Sequence, residues 1–86
     1  MPTITVACRG LLEAEGSVLP ESMLLEFSHR PWNSSIKCEW DAGVLRLTAT
    51  NDHDEDGQAL LDEFGDAVIA YCSPANTISF SVESIS

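Results

Sequence analysis

The chain has 86 residues, 44% of them apolar and 21% charged, with fourteen Asp and Glu against four Lys and Arg for a formal net charge of −10. That length and apolar content imply one domain, residues 1–86, with a modest core, and exclude wholesale disorder. The charge argues against phosphate backbones and anionic membrane surfaces as partners and favours cationic ones, whether a basic protein surface or a metal ion.

Residues Thr3 to Cys8 alternate, with Ile4, Val6 and Cys8 on one face and Thr3, Thr5 and Ala7 on the other, the pattern of a half-buried strand. Glu13 to Pro20 reads as a connection broken by Gly16 and Pro20. Glu21 to Arg30 supports two readings. Met23, Leu25, Phe27 and His29 alternate as in a strand, whereas Leu19, Met23, Leu24 and Phe27 fit a helix with Pro20 in its first turn. The strand is preferred, because Gly16 and Pro20 leave a helix only about two and a half turns.

Arg30 to Ser35 is a loop by composition. A hairpin follows, turning at Ala42-Gly43, which pairs Trp40 with Leu45, Cys38 with Leu47 and Ile36 with Ala49 so that the apolar faces match. The segment from Asp52 to Cys72 holds seven acids, Asp52, Asp54, Glu55, Asp56, Asp62, Glu63 and Asp66. At helical spacing Leu60, Leu61, Phe64, Ala67, Val68, Tyr71 and Cys72 fall in an arc of about 140°, which predicts an amphipathic helix over 54–72 lying on a core. Asp52 with Glu55 has the spacing of a capping box, and Ser73-Pro74 stops the helix. A last strand runs from Thr77 to Ile85 with Ile78, Phe80 and Val82 inward, parallel to the Leu45–Thr50 strand if the crossover is right-handed.

The expected fold is α+β, a single layer of mostly antiparallel sheet with about five strands in βββ(β)αβ order and one long helix packed across it. The helix reading of Glu21 to Arg30 gives the alternative, a ferredoxin-like βαββαβ order.

Two constellations carry chemistry. Asp52, Asp54, Asp56, Gly57 and Glu63 satisfy the Asp-x-Asp-x-Asp-Gly-x₅-Glu pattern, and residues 52 to about 64 resemble an EF-hand calcium loop. The resemblance implies calcium held by Asp52, Asp54, Asp56, the carbonyl of Gln58 and a bidentate Glu63. The chain departs from that family where Glu55, Ala59 and Leu60 occupy loop positions, where a strand-like segment replaces the entering helix, and where no second loop exists. The other constellation is the outer face of the helix. Glu55, Asp62 and Asp66 form an acidic stripe with Ile69 beside it, and no Lys or Arg on the helix offsets them. Trp32, in a loop, is the aromatic available as an interface anchor.

Catalysis finds little support. His29 and His53 stand in no recognised spacing with a nucleophile, and Cys8, Cys38 and Cys72 read as reduced core thiols rather than a zinc set. No apolar run spans a membrane, and the first residues lack the pattern of a signal peptide, so a cytoplasmic protein is expected. The sequence thus predicts a small acidic, non-enzymatic binding module of inhibitor, immunity or adaptor type, without a cofactor. It would engage a basic protein surface through Glu55, Asp62, Asp66, Ile69 and Trp32. A calcium-binding protein is the alternative, and an uncovered edge strand would permit a homodimer.

Overall fold

The computed structural model describes residues 2–30, 32–52, 56–73 and 77–86. Alternation sets the strands. In β1 (Thr3–Arg9), Ile4, Val6 and Cys8 are fully buried, as their period requires. The hairpin joins β2 (Ser34–Asp41) to β3 (Val44–Thr50) through Ala42 at φ 51° and Gly43 at φ 80°. Two consecutive left-handed residues make the turn whose twist matches that of paired strands. Trp40 faces Leu45 and Cys38 faces Leu47, but the expected Ile36–Ala49 pair does not form. The register shifts between Ser34 and Lys37, where Ser35 takes a φ of 53°. The last strand is β4 (Ser79–Ile85), and the sheet order is β2-β3-β1-β4 with every neighbour antiparallel.

The strand reading of Glu21 to Arg30 is corrected. Glu13–Gly16 forms a single helical turn, α1, and Leu19–Phe27 forms the helix α2. The i, i+4, i+8 set Leu19, Met23 and Phe27 is buried, whereas Leu25, which a strand would have turned inward, is 61% exposed. Pro20 lies in the first turn of α2, where its missing N–H costs nothing. Gly16 is no breaker of the expected kind. It packs so closely on the Trp40 indole that a Cβ there would overlap the ring. The sheet therefore has four strands rather than about five. The βββ(β)αβ order gives way to β1-α1-α2-β2-β3-α3-β4, which is the ferredoxin-like order once α1 and α2 count as one helical segment.

The helix α3 (Gln58–Tyr71) starts later than the acidic run suggests. Gly57 precedes it at φ 77°, and a Cβ there would lie 3.1 Å from Ile4 and Val82. Glycine thus allows the chain both to turn left-handed and to approach the sheet. Asp56 serves the helix start, its Oδ1 accepting from the Gln58 N–H at 3.1 Å, and the expected Asp52–Glu55 capping box involves Glu55, outside the described residues. Leu60, Phe64, Ala67 and Val68 are buried as expected. Tyr71 is not, at 46% exposed, and its hydroxyl donates towards Glu26 Oε2 at 3.4 Å.

The core lies between one face of the sheet and the helices. Its fully buried members include Met23, Phe27, Leu45, Leu47 and Phe64. Each such side chain contributes about 1.5–3 kcal/mol relative to an exposed one. Phe64 meets Phe80 edge-on, with ring centroids 5.7 Å apart. The opposite sheet face is polar, with Thr3–Thr50 and Thr5–Thr48 hydroxyl pairs and the arginines Arg9 and Arg46, both bound to Glu83. Among the described residues no helix is long and apolar enough to cross a membrane.

Candidate functional site

On α3, Asp62 and Asp66 lie opposite the buried row of Leu60, Phe64 and Val68, and both are exposed. All three arginines are engaged elsewhere. Arg9 and Arg46 reach Glu83 at 3.0 and 2.7 Å, and Arg30 bridges Glu26 and Glu63 at 3.0 and 3.2 Å. Lys37 stands on β2 opposite Thr48. Among the described residues, Asp62 and Asp66 have no cationic side chain paired to them.

The loop that carries Trp32 is anchored at three points. Arg30 stacks over the Phe27 ring, 5.2 Å from its centroid, while its two terminal nitrogens donate to Glu63 and Glu26. Asn33 is buried and accepts from Asn51 Nδ2 at 2.9 Å, which fixes the loop to the end of β3. Between these anchors the Trp32 indole N–H donates to Glu63 Oε1 at 3.1 Å, yet the residue remains 49% exposed. Asp66, three residues after Glu63, neighbours the indole's anchor point on the helix surface, whereas Asp62, adjacent to Glu63 in sequence, points about 100° round the helix from it. Of the sequence-predicted residues, Trp32 and Asp66 are thus brought to one side of α3, with Asp62 exposed on the outer face between Asp66 and Ile69.

Ile69 is 56% exposed but belongs to a different border. It lies one turn beyond Gly65, whose Cβ position is 4.0 Å from the Phe80 ring, so it leans towards β4 rather than towards Trp32. Glu55 lies outside the described residues.

The expected calcium ligands are distributed unevenly. Asp52 and Asp56 are exposed, and Asp54 lies outside the described residues. Gly57 has the left-handed turn that its loop position demands. Asp56, however, already caps the Gln58 N–H, and Gln58 is the first residue of α3, so its carbonyl belongs to the helix ladder. Glu63 gives one oxygen to Arg30 and the other to Trp32. As a bidentate ligand it would have to release both.

The thiols are set by burial. The Cys8 thiol is pushed up to about 11 by desolvation, with Cys72 adding to the effect, and that of Cys38 to about 12 by desolvation with Glu39 nearby. At neutral pH both are protonated, the unreactive form.

Reasoning from sequence missed the clasp itself, Arg30 and Glu26 with Glu63, and the Asn33–Asn51 pair. The signal for the first is the Glu26-to-Arg30 spacing of four, which has meaning only if the segment is helical. The second joins residues 18 apart through a buried contact, and no local pattern marks it.

Comparison with known proteins found no matching family model, no similar curated protein and no similar solved structure.

Proposed function

We propose that this protein is a small acidic binding module whose α3 face, with Trp32 beside it, engages a basic protein surface. The observation that carries the reading is the combination at Glu63. An indole half open to solvent is held against a helix whose exposed outer-face carboxylates, Asp66 next to the anchor and Asp62 beyond it, have no cation paired to them among the described residues. A rigid aromatic beside uncompensated charge supplies both parts of a contact, an anchor that buries area and a field that steers a cationic partner. Like charges four residues apart destabilise the free helix slightly, and a basic partner relieves that repulsion. Arg30 supports the surface from beneath, since its bond to Glu63 fixes the carboxylate that fixes the indole.

The test is capture of a basic partner on the immobilised protein, followed by the double substitution Asp62→Lys with Asp66→Lys. Binding should fall at least tenfold and should weaken with salt in the wild type. Unchanged binding by the double variant would remove the proposal.

A further inference from the structure

We infer that β4 is an assembly edge, on which a second copy of this chain pairs antiparallel about a two-fold axis at Ser81. β4 is an outer strand, so alternate backbone N–H and C=O groups along it point away from β1. It has neither Pro nor Lys, the residues that commonly blunt an edge. The other outer strand, β2, is blunted by its register shift at Ser35 and by exposed Lys37, Glu39 and Asp41.

The apolar side chains at this margin are incompletely covered. Ile78, Phe80 and Val82 are half-buried, Ile85 is 42% exposed, and Ile69 projects from α3 over the same side. An edge pairing of a few residues is marginal by itself, and covering such side chains is what would make it hold.

Charge selects the occupant. A second copy of a chain with net charge −10 is repelled by most of this surface. In β4 the one ionised side chain is Glu83, and it is already bound by both Arg9 and Arg46. A bulge opposite Thr5 and Val6 makes that arrangement possible, because it turns Glu83 to the polar face alongside Ser84.

The strand is also complementary to itself. Phe80 and Val82 face the core side, and Ser79, Ser81 and Glu83 the polar side. A two-fold at Ser81 sets Phe80 against Val82 of the second copy and Ser79 against its Glu83, so like faces meet. A two-fold at Val82 would set Phe80 against Ser84 and fails. Thr3 and Ser86 exchange both backbone bonds, and alternation from that pair across the bulge leaves the groups of Phe80 and Val82 pointing outward, where this register uses them. The edge lies across α3 from Trp32, so the acidic face stays open in the dimer.

Sedimentation equilibrium of the full chain should give twice the 9.3 kDa mass of one copy, with pairing strengthened by salt as repulsion is screened. That salt dependence is opposite in sign to the one expected for a basic partner. At the axis two Ser81 residues form a non-hydrogen-bonded pair with Cα atoms about 4.5 Å apart, within disulfide reach. Ser81→Cys with oxidised glutathione should therefore give a covalent dimer reversed by dithiothreitol. Ser79→Cys and the wild type, with its own Cys8, Cys38 and Cys72, should not. Hydrogen exchange of the wild type needs no variant, and the Phe80 and Val82 amides should lose protection on dilution. A monomer at every concentration and salt would overturn the proposal. So would a dimer in which Ser81→Cys cross-links no better than Ser79→Cys, or in which those two amides exchange freely.

Discussion

Trp32 and Glu63, 31 residues apart in the chain, are joined by a 3.1 Å hydrogen bond from indole to carboxylate, and the other oxygen of that carboxylate holds Arg30. Removing Glu63 therefore frees the indole and leaves a partly buried guanidinium short of a partner. Glu63→Ala should cost about 1–3 kcal/mol, the penalty for an unsatisfied buried or charge-assisted hydrogen bond, as read from urea unfolding. It should also raise acrylamide quenching of Trp32, with Trp32→Phe isolating the emission of Trp40. Unchanged quenching would mean that Glu63 does not hold the indole.

The same commitment of Glu63 bears on calcium. A cation needs six to eight oxygens at about 2.3–2.6 Å, and here Glu63 and Asp56 already serve Arg30, Trp32 and the start of α3. The melting temperature in millimolar calcium should equal that in EDTA. A ligand that binds only the folded chain must raise it, so a rise of several degrees would restore the EF-hand-like reading.

Glu83 gives the molecule a pH dependence of known sign. The hydrogen bond from Arg46, with that from Arg9 next among the favourable contacts, holds its carboxyl below the ordinary Glu range. In the pH interval between the lowered folded value and the unfolded value near 4.3, the unfolded chain binds more protons, so stability rises with pH. The contribution is present above the unfolded value and is lost as pH falls through the folded one. Glu83→Gln should lower the melting temperature at neutral pH, and the difference from wild type should shrink towards zero on acidification. A difference constant across that interval would contradict this account.

Two backbone positions should respond in opposite directions. Ala42 sits at φ 51° in a turn that favours Asn-Gly. Ala42→Asn should stabilise the chain by about 0.5–1 kcal/mol, a fraction of the 1–2 kcal/mol cost of a left-handed residue, visible as a rise of about 2–8 °C in melting temperature. Gly16→Ala should destabilise by about 1–3 kcal/mol through overpacking, because the added methyl meets the Trp40 ring. A neutral Gly16→Ala would show that α1 gives way to the indole.

The last strand was legible from its period-two alternation. The hairpin was legible near Ala42-Gly43, where the turn sets Trp40 against Leu45 and Cys38 against Leu47, but not at Ile36, because no local signal marks the shift at Ser35. The segment Glu21 to Phe27 was not legible, since Met23 and Phe27 belong both to an alternating set with Leu25 and to a helical set with Leu19 and Leu24. Only packing decided it, by burying Met23 and Phe27 and leaving Leu25 in water. The start of α3 was misplaced because an acidic run resembles a helix cap wherever it falls. What fixed the start at Gln58 was the close approach of Gly57 to Ile4 and Val82, a contact between residues remote in sequence. Within the candidate site, the exposure of Asp62 and Asp66 followed from the helical period. The position of Trp32 did not, because it depends on Arg30, Asn33 and Asn51 acting across three elements.

The claim that the Trp32 side of α3 is the contact surface is tested most directly by a ¹⁵N NMR titration with an arginine-rich peptide. The account predicts that the largest shifts fall on the Trp32 indole N–H and the Asp62 and Asp66 amides, and that Asp62→Lys with Asp66→Lys abolishes them. Shifts centred instead on Glu13, Glu15 and Glu21, or spread evenly over every exposed acid, would contradict it.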